Sequence, residues 1–541
     1  MPKLTQRWLL LALLLVGLAV PAAAQIRIPA AAQQRSEIRE VLHRAEQFET
    51  QRRWGEALSV YEDALRDFPH DSTLGNRHNL AKIHYDLARR YNDSSFLRAL
   101  STIDQNEALN LYSEVLSKIE THHVATPQWK SLVARGTQDL QIALYDETFK
   151  QQHMPGKSPE EVSAFNDSIT RFIEQREVRS RQQAVDLVRA TARYAQERLG
   201  IPATAVALEF SCAAIGALDS YSAYLTSDQL NDVYSQIEGN FVGLGIELKA
   251  DAGALLIVNV ITGSPADRAG IRSGDRITEV DGQATAELTT DQAADLLQGP
   301  EGSVARILVV NRENQGRRLS VRREHVEVPS VDDVKIVDPD FGIGYMKLTC
   351  FQKTTSRDLD AALWKLHRQG MRSLIIDLRG NPGGLLTASV EVADKFIAEG
   401  TIVSTRGRSP LEDYNYTAHK AGTWRVPLVV LIDGDSASAS EIFAGAIRDH
   451  RRGNIVGQRS YGKGSVQGIF PLAIAGSGVR LTTAKFYSPN GQPISHVGVQ
   501  PDIVVHQVAR KSSESLALAD DGADSELSAA IQAARRQTAQ R

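Results

Sequence analysis

At 541 residues the chain is too long for one ordinary domain, and roughly three or four are expected. Its 42% hydrophobic and 23% charged residues are those of a soluble globular protein, and a net charge of −4 without a Lys/Arg-rich block gives no footing for nucleic-acid binding. Cys212 and Cys350 are the only cysteines and read as two buried free thiols. No CxxC, HExxH or histidine cluster suggests a metal site, and no cofactor is expected.

Residues 1–24 have the form of a secretory signal. Lys3 and Arg7 precede an apolar run from Trp8 to Val20, and Pro21-Ala-Ala-Ala24 supplies the small residues of a cleavage site. The alternative is an uncleaved anchor, since no charge stands between Arg7 and Arg27, although the run is short for a membrane span. The expected location is periplasmic or extracellular, with a membrane tether if the signal stays.

Residues 25–135 read as a helical, tetratricopeptide-like region, and 136–229 as further helices leading into a core. Glu56-Ala-Leu-Ser-Val-Tyr-Glu-Asp-Ala-Leu65 is echoed by Glu107-Ala-Leu-Asn-Leu-Tyr-Ser-Glu-Val-Leu116. The offset of 51 residues differs from the ~34 of that repeat, so a plain antiparallel helical domain is the other reading. Residues 151–180 are polar and read as a long loop or a mobile helix. Without a catalytic constellation before residue 200, this half is expected to bind an adaptor or a second copy of the chain.

From about Asn240 short β runs with glycine turns take over. The turn Val242-Gly243-Leu244-Gly245-Ile246 can aim backbone N–H groups into a concavity that holds an anion. The strand after it would offer an open edge for an extended peptide, with its C-terminal carboxylate in that nest. With Ser264-Pro-Ala-Asp-Arg-Ala-Gly-Ile271, Gly274-Asp-Arg-Ile277 and a helix from about Thr290 to Leu297, residues 230–326 resemble a PDZ domain.

Residues 327–508 alternate strands with helices, the pattern of a mostly parallel sheet covered by helices. Ser373–Leu378 and Val426–Ile432 read as buried strands, each followed by a small-residue turn: Arg379-Gly-Asn-Pro-Gly-Gly384 and Ser436-Ala-Ser-Ala-Ser440. Such turns lie beyond the C-terminal strand ends, where active groups of parallel sheets gather. The tail 509–541 is rich in Ala, Ser and Asp and reads as disordered or as one loosely attached helix.

Ser438 sits where a buried strand gives way to a helix, among residues small enough for a substrate backbone to approach. A helix cap explains one serine there but not the small residues on both sides. The free N–H of Ala439, and the turn at Gly383-Gly384, can stabilise an oxyanion. Lys463, between glycines and 25 residues after Ser438, is the candidate base. It must be neutral to act, and burial is what lowers a lysine pKa. In the strand that follows, Lys463, Ser465 and Gln467 would share one side, so Gln467 could orient the amine. A Ser–His–Asp hydrolase lacks its Gly-x-Ser-x-Gly elbow here. His450 reads as solvated and His496 as structural.

From about Gly216 to Asp502 the chain resembles the C-terminal processing peptidases, or tail-specific proteases. The matching stretches are Gly216-Ala-Leu-Asp-Ser-Tyr-Ser-Ala-Tyr-Leu225, the PDZ pattern, Asp377-Leu-Arg-Gly-Asn-Pro-Gly-Gly384, Ser436-Ala-Ser-Ala-Ser-Glu441, Tyr461-Gly-Lys-Gly-Ser-Val-Gln467 and Gly498-Val-Gln-Pro-Asp502. The resemblance implies a serine–lysine dyad with a supporting glutamine, carried here by Ser438, Lys463 and Gln467. It implies a PDZ domain that recognises the C-termini of polypeptide substrates and can gate the site. The expected fold class is multidomain: an N-terminal all-α region, a β-rich PDZ domain and an α/β core. A PDZ and helical scaffold on a dead hydrolase core is the reading from another class.

Overall fold

Apolar residues at helical spacing recur from Ala30 to Gly216, and the chain is mostly helical there. The computed structural model describes residues 30–251, 254–285, 296–297, 299–419, 421–505 and 524–539. The expected signal segment and most of the helix expected from Thr290 lie outside them. The chain divides into two compact units, Met1–Asn92 and Asp93–Arg541.

In the first unit α1 (Ala30–Thr50), α2 (Trp54–Asp67) and α3 (Ser72–Tyr91) enclose a small core. α2 contributes Ala57, Leu58, Tyr61 and Ala64, spaced three or four residues apart on one face, to meet Ala45, Leu74 and Ala81. Asp71 starts α3 by accepting the Leu74 N–H at 2.9 Å.

The second unit opens with α4 (Ser94–Thr102), α5 (Gln105–His122), α6 (Trp129–Ala143), α7 (Glu147–His153), α8 (Pro159–Glu174), α9 (Arg181–Leu199) and α10 (Ala203–Gly216). Helix α10 is buried on every side from Ala203 to Ile215, packed among α5, α6 and α9. That explains its mostly apolar sequence. Gly136 of α6 lets the Phe210 ring seat against the backbone, since a Cβ there would lie 2.2 Å from the ring. Residues 151–180 are not one long loop: Ser158 and Glu161 form a capping box, and α8 buries Val162, Phe165, Ile169 and Ile173 at helical spacing.

Strand β1 (Ala223–Leu225) and α11 (Ser227–Glu238) follow. β2 (Asn240–Gly243) then leads into β3 (Ile246–Asp251), β4 (Ala254–Val260), α12 (Pro265–Arg268), β5 (Arg276–Val280), β6 (Gln283–Ala284), β7 (Val304–Val310), β8 (Gly316–Arg322) and β9 (Glu324–Glu327). β2 and β9 pair antiparallel as a two-stranded neck. Between them lies a sheet of order β3-β4-β5-β7-β8, with β6 on β5, around Leu255, Ile257, Ile277, Ile307 and Val309.

The core comprises β10 (Val331–Asp338), β11 (Ile343–Leu348), α13 (Thr355–Arg368), β12 (Ser373–Asp377), α14 (Leu386–Asp394), β13 (Thr401–Gly407), β14 (Tyr414–Thr417), β15 (Leu428–Ile432), α15 (Ala439–Asp449), β16 (Asn454–Gly457), β17 (Ser465–Pro471), β18 (Gly478–Tyr487) and β19 (Ile503–Val504). Its main sheet has the order β10-β11-β12-β15-β16-β19, parallel throughout except for β10. A second, antiparallel sheet joins β1, β13, β14 and β17 around β18.

Leu374, Ile376, Leu428, Val430 and Ile432 face α13, α14 and α15. Ile343, Tyr345, Ile375, Val429, Leu431 and Val456 face the other way, onto Ala530, Ala533 and Ala534. These alanines belong to α16 (Ser525–Ala539), so over that stretch the expectation of a disordered or loosely attached tail is corrected, while residues 509–523 lie outside the described residues. Alanines at i, i+3 and i+4 let the helix lie close on the sheet, and Arg535 pairs with Asp338 at 2.6 Å.

The expected helical block 25–135 is also not one body. α5 belongs to the second unit, where Leu111, Tyr112, Val115, Leu116 and Ile119 are fully buried and α10 and β18 are neighbours. Val124 beyond it donates to the Thr482 carbonyl of β18 at 2.8 Å. A chain beginning at Asp93 is therefore expected to fold with one cooperative transition by circular dichroism. A chain beginning at residue 131, with α5 gone, is expected to lose that transition, since deleting even one large buried side chain costs about 2–5 kcal/mol.

Candidate active site

β12 and β15 are parallel neighbours, so the turns after them meet at the C-terminal edge of the sheet. Two of the three alternating serines do structural work there. The Ser436 hydroxyl donates to the Leu378 carbonyl at 2.8 Å, and that of Ser440 to the Asn381 carbonyl at 3.0 Å. The Asp433 carboxylate accepts the N–H groups of Gly380 and Ser436. Asn381 is fully buried; its amide donates to Leu348 O at 2.8 Å and accepts the Gly383 N–H at 2.9 Å.

Ser438, between the structural pair, is half-exposed and has φ +54° and ψ −112°. Side chains rarely tolerate that backbone; strain of about 1–3 kcal/mol is typical, and it gathers at functional turns. Gly383 packs onto this serine: a Cβ there would lie 2.8 Å from Ser438 Cβ and 2.9 Å from the Ala439 nitrogen. Gly383 was expected as a donor to an oxyanion, yet its N–H is committed to Asn381. Its part is to lack a side chain and so let the turn close on Ser438. Among the described residues, the N–H groups of Ala439 and Gly384 have no acceptor.

One carboxylate joins the serine turn to the lysine loop. Glu441 is fully buried in the first turn of α15. Its Oε2 accepts the N–H of Ser438 and the N–H of Lys463, each at 2.8 Å. Its Oε1 accepts the Gly462 N–H at 2.7 Å and the Ser460 hydroxyl at 2.6 Å. Burial pushes the Glu441 pKa up while these bonds pull it down. Sequence reading gave Glu441 no role, although the Ser-x-x-Glu spacing at a helix start is the signature of a side chain reaching back to a cap N–H.

Lys463 is half-buried, and its Nζ lies 4.9 Å from the centre of the Tyr221 ring. Burial first and the Arg480 guanidinium second hold its pKa below the ordinary lysine value, against the pull of Glu441. Arg480 donates to the Tyr221 carbonyl at 3.0 Å. Tyr221 is placed by Asp219, which accepts the N–H groups of Tyr221 and Ser222 at 2.8 Å and bonds to His123 at 3.1 Å. Burial works to raise the Asp219 pKa, but these bonds outweigh it and hold it at about 2. The Tyr221 phenol is pushed up to about 12, chiefly by burial.

Gln467 meets Ser465, on the side the two were expected to share, and its amide donates to the Ser465 hydroxyl at 2.9 Å rather than meeting Lys463; a bulge lies between Val466 and Gln467. His450 is not solvated either; its ring bonds to the Thr401 carbonyl at 2.7 Å. The backbone N–H of His496 donates to the Gly462 carbonyl at 2.8 Å, beside Lys463.

In the PDZ-like sheet, β3 stands at the end of the strand order and leaves one edge unpaired among the described residues. Val242 and Gly243 lie in the neck strand β2, Leu244 is buried, and Ile246 begins β3. Gly245 has φ +81°, and a Cβ there would lie 2.3 Å from Ser264 Cβ. The Leu244 and Gly245 carbonyls accept the Ala266 and Ile261 N–H groups at 2.9 Å, and their own N–H groups have no acceptor among the described residues.

A strained serine at the mouth of a parallel sheet is the way serine hydrolases present a nucleophile. Residues 342–505 match the model of peptidase family S41, and residues 256–311 match that of the PDZ domain. The chain is 40% identical over 299 residues to a carboxy-terminal-processing protease of Bartonella bacilliformis, covering 54% of this chain and 67% of that one. It is 34% identical over 288 residues to a probable CtpA-like serine protease of Staphylococcus haemolyticus, covering 52% and 56%. It is 35% identical over 271 residues to a carboxyl-terminal-processing protease of Synechocystis, covering 49% and 62%. The chain belongs to the C-terminal processing proteases, serine-type peptidases of family S41, and carries a PDZ domain. The matched span is about half of this chain, and the helices before it lie outside the S41 and PDZ matches.

Glu441→Gln keeps the shape but replaces one acceptor oxygen with an N–H₂ facing two donors. It is expected to cost about 1–3 kcal/mol in denaturant unfolding. It should also slow modification of Ser438 by a fluorophosphonate.

Proposed function

We propose that the protein is a serine endopeptidase in which Ser438 is the nucleophile and Lys463 the base. One observation carries this reading: the Glu441 carboxylate holds the backbones of both residues on a single oxygen. The lowered Lys463 pKa supports it, because only the neutral amine can take a proton. Ser438 Oγ attacks the scissile carbonyl carbon while Lys463 Nζ takes its proton. The N–H groups of Ala439 and Gly384 receive the developing oxyanion. The ammonium then protonates the leaving nitrogen, the C–N bond breaks and an acyl-enzyme forms. Water, losing its proton to Lys463, attacks the ester and releases Ser438. Gln467 has the lesser part of steadying the lysine strand through Ser465.

The substrates are exported polypeptides with accessible, apolar C-termini. The last residues of a substrate add to the edge of β3, with the terminal carboxylate at the turn from Val242 to Ile246. The signal-like segment at residues 1–24 supports an exported enzyme, periplasmic or extracellular. The N-terminal helices bind an adaptor or a second copy of the chain.

Ser438→Ala and Lys463→Ala are each expected to abolish turnover of an unfolded substrate, and the double variant to be no worse than either. Lys463→Arg should be inactive too, because a guanidinium stays charged. In the parent, fluorophosphonate labelling should map to Ser438 and accelerate as pH rises through a pKa below that of an ordinary lysine. Labelling elsewhere, or an active arginine variant, removes the dyad. For the PDZ assignment, an unfolded substrate with a free C-terminus should be cut faster than its amidated form; equal rates would rule out carboxylate capture.

A further inference from the structure

The chain after the core returns to the catalytic edge of the sheet. Asp524, just before α16, accepts from both terminal nitrogens of Arg379 at 2.8 Å and caps its own helix through the Leu527 N–H. Glu526 is buried and uses its two oxygens on two different loops. Oε2 accepts from Arg379 Nη1 at 3.0 Å, and Oε1 accepts from the Gln458 amide at 2.9 Å. Arg379 opens the turn that ends at Gly383-Gly384, and it is held from below by Asp377 at 2.6 Å. Gln458 opens the loop that runs through Ser460 and Gly462 to Lys463. Glu441 ties that loop at its far end, so Glu526 supplies the tie at its near end.

We propose that the C-terminal helix is a positioning element of the active centre. Through Glu526, with Asp524, it fixes the spacing between the Gly383-Gly384 turn and the loop carrying Lys463. This rests on the reading of Ser438 and Lys463 as the catalytic pair. Neither acidic residue touches substrate; they act through Arg379 and Gln458. Gln458 lies outside the alanine packing of α16 on the sheet, which separates positioning from mere adhesion of the helix.

The test uses the full chain and a short quenched fluorescent peptide, with kcat, KM and Tm measured for each variant. Glu526→Leu and Gln458→Leu should each lower kcat about tenfold or more with KM unchanged, since misplacing catalytic groups by about an ångström is that costly. The double variant should be no slower than Glu526→Leu, because both remove the same tie. Glu526→Gln should recover most of the rate: its amide can still accept from Arg379, and Gln458 can rotate its amide to match. If Glu526→Leu fails to fold, Gln458→Leu decides. A Gln458→Leu enzyme with parental kcat, or a double variant whose losses multiply, overturns the proposal. Fluorophosphonate labelling that survives Ser438→Ala would instead overturn the catalytic reading beneath it.

Discussion

The active edge of this protein depends on one buried carboxylate with four hydrogen bonds. Taking a glutamate out of water costs several kcal/mol unless its charge is met. Glu441 meets it with three backbone N–H groups and a serine hydroxyl, filling the acceptor positions of both oxygens. It also sits in the first turn of its helix, where the backbone dipoles favour a negative charge. Hydrogen bonds to a charged group contribute about 1.5–3 kcal/mol each and offset part of the desolvation, which still holds the Glu441 pKa above the ordinary carboxylate value. The same carboxylate registers two segments 25 residues apart in the chain.

Lys463 shows which electrostatic effect wins. Desolvation and the like charge of Arg480 both disfavour its ammonium, and Glu441 favours it. Because the oxygens of Glu441 are occupied by other donors, the lysine meets it with its backbone N–H. The Tyr221 ring also favours the cation, by about 0.5–2 kcal/mol. Burial still dominates, and the pKa moves down.

Both sheets make the helices part of the catalytic architecture. The main sheet needs cover on two faces, and α16 supplies the second. The smaller sheet leaves a stretch of β18 between β1 and β13 where Val124 and Ser222 satisfy the backbone of Thr482. His123, next to Val124, bonds to the Asp219 that places Tyr221 beside Lys463. The end of α5 is thereby linked to the environment of the lysine.

The sequence by itself determined most of the elements and the family they build. The apolar runs Leu374-Ile-Ile376 and Leu428–Ile432 announced strands buried on both faces, because no polar face needed to be kept. Small residues around Ser438 and Lys463 marked where a substrate backbone could approach. Only the tertiary structure decided the partners, because hydrogen bonds between distant segments leave no local period. Glu441 looked like one more residue of a helix start. Gly383 looked like a donor until Asn381 was seen to hold its N–H. Gln467 was expected to orient the amine of Lys463, and its amide is spent on the neighbouring Ser465 hydroxyl. The tail of Ala, Ser and Asp looked unattached because small residues bury little surface alone; α16 is held by a complementary sheet face and by Arg379, neither of which its own sequence reveals.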